Sequence, residues 1–271
     1  MTFILGLCTL FLTLFLLLWL FLILPRVTGR ADMELLCRDY AHRGLWGNGI
    51  PENSLSAFAE AVQRGYGIEL DLQLSKDRVL MVFHDDTLNR LCGVSGRIGE
   101  MTCAELKRLR LVGTDETIPT LSEVLALVRG RVPLMIEIKG ERTDPVLCRR
   151  AVHLLDAYMG PFCIVSFSPL ILRWFKHYRP TYARGQLVTR ITKHQRKGSR
   201  LISLLLSHVL LNVLSRPDFL SVNERYRRRP VYRFCLRILR IPCFAWTVRA
   251  KQDRQKLRKQ GWHCIFERIC P

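Results

Sequence analysis

The sequence lacks the paired cysteines that build zinc sites and redox centres. Its ten cysteines contain no C-x-x-C pair and are scattered from Cys8 to Cys270. Because zinc modules and dithiol motifs need closely spaced pairs, neither class fits this chain. Scattered cysteines are more typical of buried thiols in a reducing compartment than of a disulfide framework.

Acidic residues are scarce in the last third of the chain. Residues 171–271, which we call the basic third, hold 24 Lys and Arg against 4 Asp and Glu, whereas the first 170 residues hold 18 and 19. The net charge of +19 therefore belongs to the basic third. Such an excess predicts an anionic partner surface, with a generally basic solvated surface as the alternative. No recognised nucleic-acid-binding module or aromatic platform accompanies it, so nucleic acid is not an expected partner.

An apolar run without a charged residue opens the chain. It covers residues 3–24, close to the roughly 20 residues that a helix needs to cross a bilayer. A cleaved signal peptide, the alternative, would begin with basic residues, and none precedes this run. We therefore predict a transmembrane anchor over residues 1–24 and a linker over 25–37. Arginines follow the run, which predicts a single-pass protein of the cell membrane with its globular domain in the cytoplasm.

Strand and helix patterns alternate through the rest of the chain. They form about eight β-α units in one domain over residues 38–271, the size of a (β/α)₈ barrel of about 250 residues. We therefore predict an α/β fold, a (β/α)₈ TIM barrel preceded by one transmembrane helix. Two elements of the pattern are a strand over residues 79–84 and a helix over residues 201–214.

Two predicted strands carry carboxylates on the face that points into such a barrel. Glu69 and Asp71 alternate with apolar residues on one strand, as Glu137 does on another. Buried carboxylates cost several kcal/mol each unless a cation accompanies them. Three of them, with no Cys or paired His nearby, suit Ca²⁺ or Mg²⁺. The alternative is a structural ion-pair network with Lys139 and Arg43.

Two histidines stand at predicted strand ends beside these carboxylates. Barrel active sites are built at the C-terminal ends of strands, so His42 and His84 are the candidate acid–base pair, with structural histidines as the alternative. Glu52 and Asn53 precede a helix as a turn and N-cap, and Glu52 is also a candidate support for the metal. Imidazoles, acidic oxygens and cations together predict hydrolysis of a phosphate ester with a hard metal.

The motifs in this order resemble the glycerophosphodiester phosphodiesterase family. They are His42-Arg43-Gly44, Pro51-Glu52-Asn53-Ser54, Gly67-Ile68-Glu69-Leu70-Asp71, Val82-Phe83-His84-Asp85-Asp86-Thr87-Leu88, Ile136-Glu137-Ile138-Lys139 and Phe244-Ala245-Trp246-Thr247-Val248. One departure is Ile265-Phe266-Glu267-Arg268, where the family commonly ends a strand with Ile-Thr-Asp.

The resemblance implies a TIM barrel that hydrolyses glycerophosphodiesters to an alcohol and glycerol 3-phosphate with a divalent metal. It implies that Glu69, Asp71 and Glu137 hold the ion, His42 and His84 transfer protons, Arg43 and Lys139 neutralise phosphoryl oxygens, and Trp246 lines the glycerol side. A partner of Glu137 is the alternative role for Lys139, and a residue of the core is the alternative role for Trp246. Two further alternatives are a lysophospholipase D-like activity on lysophospholipids and a catalytically silent, membrane-bound binding module. The complete set of histidines and carboxylates argues against the silent module.

Three basic stretches follow predicted strands and should lie at the mouth of the barrel: residues 193–200, residues 225–229, and Arg249 with Lys251. The predicted helix 201–214 has only a narrow polar stripe. It either packs on the barrel or docks on an anionic membrane surface. The segment from Pro25 to Arg38 reaches at most about 46–50 Å, which would let the mouth turn toward the bilayer. Nothing indicates an obligate protein partner.

Overall fold

The computed structural model describes residues 2–27, 33–140, 143–189 and 200–268. Its strands are β1 (Tyr40–His42), β2 (Gly67–Leu74), β3 (Leu80–Val82), β4 (Leu134–Ile138), β5 (Phe162–Ser166), β6 (Ala183–Val188), β7 (Phe219–Asn223), β8 (Cys243–Val248) and β9 (His263–Phe266). Its helices are α1 (Thr2–Ile23), α2 (Leu55–Gln63), α3 (Asn89–Cys92), α4 (Cys103–Leu106), α5 (Leu121–Val128), α6 (Pro145–Leu155), α7 (Pro169–Tyr178), α8 (Arg200–Ser207), α9 (Asn212–Ser215), α10 (Pro230–Arg237) and α11 (Lys251–Lys259).

Eight of these strands close into a parallel barrel. Strand β1 pairs in parallel with both β2 and β9, in register Tyr40 with Gly67 and Tyr40 with Ile265. The remaining parallel neighbours run in the order β2, β4, β5, β6, β7, β8 and β9. The prediction of a (β/α)₈ barrel after one apolar helix is confirmed.

The alternation on β2 explains how an apolar strand delivers carboxylates to the barrel interior. Ile68, Leu70 and Leu72 are fully buried in the layer between strands and helices. Because side chains alternate along a strand, Glu69 and Asp71 point to the other face, into the barrel. The outward face of β2 therefore packs against the helices, and its inward face carries the carboxylates.

The strand predicted over residues 79–84 is shorter than expected and is not part of the barrel. It is β3, which ends at Val82 and pairs antiparallel with the C-terminal half of β2. His84 therefore lies two residues beyond a short hairpin strand rather than at the end of a barrel strand.

The single helix predicted over residues 201–214 was wrong. Helix α8 ends at Ser207 and α9 begins at Asn212, with Val209 between them at a positive φ of 54°. The amide of Val209 donates to the Leu206 carbonyl and that of Leu210 to the Leu205 carbonyl, which is the Schellman arrangement of a helix end. Glycine usually marks this position, so the break carries no ordinary stop signal.

Helix α1 is 22 residues long and its most apolar window has a mean hydropathy of 2.6, enough by length and composition to cross a membrane. Every residue of α1 from 2 to 18 is exposed. Its last turns pack on the barrel, where the Trp19 ring lies 5.0 Å from that of Phe234 on α10. The Asn212 side chain donates to the Ile23 carbonyl at 3.2 Å. The C-terminal end of α1 is therefore attached to the domain.

The described part of the predicted linker is also packed against the barrel. Arg26 is buried, lies 3.2 Å from Asp218, and donates to the Tyr182 carbonyl at 2.9 Å, both just before strands β7 and β6. Leu36 is buried beneath the barrel and its carbonyl accepts from the Tyr40 hydroxyl at 2.9 Å. Residues 28–32 lie outside the described ranges. The linker was expected to be free to extend between the membrane and the barrel. Its described residues, 25–27 and 33–37, are instead close to the barrel.

Candidate active site

Three carboxylates meet inside the barrel where β2 and β4 lie side by side. Glu69 and Asp71 belong to β2, and Asp71 is in register with Glu137 on β4. One oxygen from each lies within 4.8 Å of the others, and all three side chains are buried. We call these residues the acidic triad. The structure brings together the residues that the sequence singled out as metal ligands.

Two cations lie against the acidic triad, as the ion-pair alternative expected. Lys139 Nζ is 2.8 Å from Asp71 and 2.9 Å from Glu137. Arg43 Nε is 3.6 Å from Asp71, but the same guanidinium is shared with Glu52, to which it donates at 2.6 Å. Two cations, one of them shared with a fourth carboxylate, face three buried acids. The ion pairs are present, and they leave negative charge unbalanced.

Glu69 is the carboxylate that this network leaves short of positive charge. It accepts a hydrogen bond from the Arg43 backbone amide at 3.1 Å, and the His42 imidazole is 3.9 Å away. Across the described ranges, no Lys or Arg side chain forms an ion pair with it. Burial, then the charges of Asp71 and Glu137, raises the pKa of Glu69 well above its usual value. A raised pKa means that Glu69 binds a proton more readily than an exposed carboxylate does. A hard divalent cation could supply the missing positive charge in place of that proton.

The remaining members titrate in a way that follows from their neighbours. Burial raises the pKa of Glu137. Burial also favours the neutral form of Asp71, but Lys139, His84 and Arg43 outweigh it and lower the pKa of this carboxyl. Burial opposes the charge of Lys139, yet Asp71 and Glu137 raise the pKa of its ammonium. The lysine is therefore charged, and it is committed to two of the three acids.

His42, at the end of β1, is held by a residue that the sequence analysis did not assign. Its Nδ1 lies 2.9 Å from a carboxylate oxygen of Glu267, and Arg249 binds the other oxygen. Burial opposes ionisation, but the bonds from His42 and Arg249 lower the pKa of Glu267 to about 2. The ionised carboxylate can only accept, so Nδ1 carries a proton, and in the neutral ring the free lone pair is on Nε2. The one sequence signal for Glu267 is its place after β9, where the family pattern has an aspartate.

His84 lies on a loop that side chains hold over the mouth of the barrel. Gln73 donates to the backbone carbonyls of Phe83, His84 and Asp85, at 2.9, 3.2 and 2.8 Å. The Nδ1 atom of His84 is 2.7 Å from Asp85, whose other oxygen accepts from Arg90 at 2.6 Å. Burial lowers the pKa of His84, so its neutral form presents Nε2. Sequence reasoning missed Gln73, although it occupies the next inward position of β2.

Glu52 and Asn53 act on the acidic triad from outside it. Glu52 accepts from Arg43 at 2.6 Å and from Arg90 at 2.7 Å, so it joins the arginines beside both histidines. It is not part of the acidic triad, and its support of a metal stays a prediction. Asn53 donates to Asp71 at 3.0 Å and fixes the position of that carboxylate.

A cavity of about 530 Å³ opens above the acidic triad. Its aromatic wall contains Trp246, whose indole N–H donates to the Ser221 carbonyl at 3.0 Å and whose ring meets Phe167 edge-to-face at 5.6 Å. On another side, the Arg268 guanidinium lies 4.6 Å from the centre of the Trp46 ring. The cavity is also lined by His42, Arg43, Glu69, His84, Glu137, Lys139, Leu187, Thr189, Asn223, Arg249 and Glu267. Both histidines, Glu69, Glu137 and Trp246 thus line the same cavity.

Comparison with known proteins gives the same picture. Residues 42–267 match the glycerophosphoryl diester phosphodiesterase family. A glycerophosphodiester phosphodiesterase of Caldanaerobacter subterraneus is 31% identical over 235 residues, covering 82% of this chain and 89% of that protein.

Solved structures agree with the sequence relatives. A phosphodiesterase of Oleispira antarctica, determined in complex with the product sn-glycerol-3-phosphate, is 26% identical with a TM-score of 0.71, covering 85% of this chain and 92% of that one. The glycerophosphodiester phosphodiesterase of Thermotoga maritima is 27% identical with a TM-score of 0.64, covering 84% and 94%. The matched range runs from the first histidine of the site to the carboxylate that holds it, so the chain belongs to the glycerophosphoryl diester phosphodiesterase family, a family of phosphoric diester hydrolases.

Proposed function

We propose that this chain hydrolyses glycerophosphodiesters to an alcohol and glycerol 3-phosphate, using a divalent cation and two histidines. The observation that carries the proposal is a triad of buried acids with too little positive charge, beside two imidazoles whose Nδ1 atoms are each held by a carboxylate. The Oleispira antarctica relative, bound to sn-glycerol-3-phosphate, supports the choice of substrate class.

Glu69, Asp71 and Glu137 would hold the cation, with Ca²⁺ or Mg²⁺ as the ions that suit an all-oxygen set. When bound, such an ion supplies charge stabilisation to phosphoryl oxygens and orients a hydroxyl ligand. Asn53 keeps Asp71 in place by its hydrogen bond, and Lys139 neutralises part of the site before substrate enters.

The two histidines divide the proton transfers. One Nε2 atom accepts the proton of the attacking group, the glycerol hydroxyl beside the phosphate or a water, as that oxygen bonds to phosphorus. The other imidazole, protonated at Nε2, donates its proton to the leaving alcohol oxygen as the P–O bond breaks. Attack by water gives glycerol 3-phosphate directly. Attack by the glycerol hydroxyl gives a cyclic phosphate, which a water then opens to glycerol 3-phosphate while the two imidazoles exchange roles. Glu267 and Asp85 each accept from Nδ1, which fixes the ring orientation that both transfers need.

Arg43 and Lys139 border the cavity and remain the candidates for binding phosphoryl oxygens. Lys139 uses two contacts on Asp71 and Glu137, and an ammonium has three donors, so one N–H is available for a phosphate. Trp246 and Phe167 offer an apolar wall on the side where glycerol or the alcohol group would lie.

We propose further that α1 anchors the enzyme in the cell membrane with the barrel in the cytoplasm. Its length, hydropathy and exposed surface support a span, and the nine described cysteines are all free thiols, as a reducing compartment favours. The same anchor favours a second candidate substrate class, lysophospholipids, because it holds the apolar-walled cavity near a lipid surface.

Release of glycerol 3-phosphate or lysophosphatidate tests the proposal. The purified full chain is assayed on glycerophosphocholine and on lysophosphatidylcholine, with EDTA and with Ca²⁺ or Mg²⁺ added back. The proposal expects metal-dependent cleavage of the first substrate. Cleavage of the second alone would assign the lysophospholipase D-like activity, and cleavage of neither, with tight binding of both, would assign the silent binding module.

A further inference from the structure

Helix α8 exposes an apolar face that the barrel does not cover. The exposed fractions of Leu201, Ile202 and Leu204 are 61%, 49% and 52%, in a helix of eight residues. The helix is nevertheless fixed to the domain at its other end, where Ser207 is buried and its carbonyl accepts from the Tyr232 hydroxyl of α10. Three neighbouring large apolar side chains held in this way on a surface are typical of an interaction site.

The same flank of the barrel holds the end of α1. The last turns of α1 pack on α9 and α10 through Ile23 with Asn212 and through Trp19 with Phe234. Only four residues, 208–211, separate α8 from α9, a distance of at most roughly 17 Å for extended chain. We call α8, α9 and α10, together with residues 19–26, the anchor flank.

The length of α1 sets the depth of the anchor flank relative to a bilayer. Its 22 residues span roughly 33 Å, against a hydrocarbon core of about 30 Å. If α1 crosses the membrane, as proposed above, Ile23 lies at the interface. Asn212 and Arg216, which bond to the carbonyls of Ile23, Phe21 and Leu24, then lie among the lipid headgroups, and α8 is within reach of the same surface.

The charge of the anchor flank suits anionic headgroups. Residues 200–240 contain Asp218 and Glu224 as their only acidic residues. Asp218 is buried against Arg26, and Glu224 pairs with Arg227 at 3.0 Å. In contrast, exposed arginines surround α8 and α10: Arg200, Arg225, Arg228, Arg233 and Arg237. The predicted basic stretch 193–200 adjoins α8 in sequence, and its residues before Arg200 lie outside the described ranges.

We infer that α8 is a second membrane contact, whose Leu201, Ile202 and Leu204 enter the headgroup–acyl boundary of the anionic bilayer that α1 spans. Basic residues beside an apolar helix face are the composition of helices that lie in this boundary. Strands β6 and β7 end at the cavity, through Leu187 and Asn223, and α8 belongs to the connection between them. The contact therefore places the β6–β7 connection at the lipid surface. The inference rests on the proposed membrane span of α1.

Quenching by brominated lipid tests the contact without using activity. The full chain carrying Leu204→Trp is reconstituted into anionic vesicles with brominated or ordinary acyl chains. Val112→Trp is the matched control, because Val112 is 59% exposed and lies in the β3–α5 connection, across the barrel from β7. We expect the emission added by Leu204→Trp to fall at least twofold in brominated vesicles and that of Val112→Trp to match the vesicles without bromine. Equal emission of the Leu204→Trp variant in both kinds of vesicle would overturn the inference. Protection of this tryptophan from solvent only when the chain forms a dimer would also overturn it, because a second copy would then cover α8.

A second variant links the contact to access by substrate. The triple change Leu201→Glu, Ile202→Glu and Leu204→Glu should leave turnover of water-soluble glycerophosphocholine within twofold and lower turnover of vesicle-borne lysophosphatidylcholine at least threefold. An unquenched Leu204→Trp in an active enzyme overturns the contact alone. Quenching in an enzyme that cleaves neither substrate overturns the proposed function alone.

Discussion

The acidic triad and the anchor flank differ in the sign of their charge and in how that charge is neutralised. The triad is negative and buried, and the flank is positive and exposed. In the barrel interior, Glu69, Asp71 and Glu137 are buried and each is placed by a named hydrogen bond or ion pair. On the anchor flank, arginines such as Arg233 and Arg237 are exposed beside apolar side chains. A buried charge must be matched by another charge or a proton, whereas an exposed one is free to meet a separate surface.

The difference teaches which residues should matter for chemistry and which for location. Removing a side chain that lines the cavity, or one that holds such a side chain in place, should change turnover. Removing a group on the anchor flank should change stability or membrane contact and leave turnover of a soluble substrate in place.

The largest effect is expected at the two histidines. His42→Ala or His84→Ala should lower kcat on glycerophosphocholine by about 10²–10⁴, the usual contribution of a positioned acid or base. His153→Ala, on the exposed face of α6, is the matched control and should be neutral. Steady-state kinetics with circular dichroism as the folding check measures this. Full activity of either variant in a folded protein contradicts the acid–base assignment.

A smaller effect is expected where the structure added a residue to the site. Glu267→Gln should lower kcat about 10–100-fold, because a neutral amide orients the His42 ring less firmly and no longer fixes its proton on Nδ1. KM and metal affinity should stay within twofold, which separates positioning from a general structural role. Asp115→Asn, an exposed loop change, serves as control. An unchanged kcat in Glu267→Gln would show that His42 does not depend on it.

The smallest effect is expected on the anchor flank. Asn212→Ala removes the donor to the Ile23 carbonyl and should lower the free energy of unfolding by about 1–3 kcal/mol. Thermal unfolding of the full chain in detergent should shift down by about 2–4 °C per kcal/mol, with kcat on glycerophosphocholine unchanged. Gln255→Ala, exposed on α11, is the control. A loss of kcat with no change in stability would mean that this flank takes part in the chemistry.

The sequence predicted the barrel and the residues of its acidic interior because both follow from local alternation. On β2, apolar and acidic residues change places at every step, and a parallel barrel allows only one of the two faces to point inward. Glu137 on the neighbouring strand follows by the same rule. The clustering of Glu69, Asp71 and Glu137 needed no knowledge of distant contacts.

What the sequence did not predict depends on contacts across the fold. Glu267 reaches His42 from 225 residues away, and Arg26 finds Asp218 from the far side of the chain. The end of α8 has no glycine. Val209 takes the left-handed backbone conformation there instead, and its side chain is buried. Tertiary packing determines both long-range contacts and the end of α8, and the local sequence pattern does not predict it.

Calorimetric titration of the purified full chain with Ca²⁺ and with Mg²⁺, beside the variant Glu69→Gln, tests the central claim most directly. The account predicts one bound divalent ion per chain, and at least tenfold weaker binding when the least neutralised carboxylate becomes an amide. Absence of binding to the unaltered chain, or equal binding by Glu69→Gln, would contradict it.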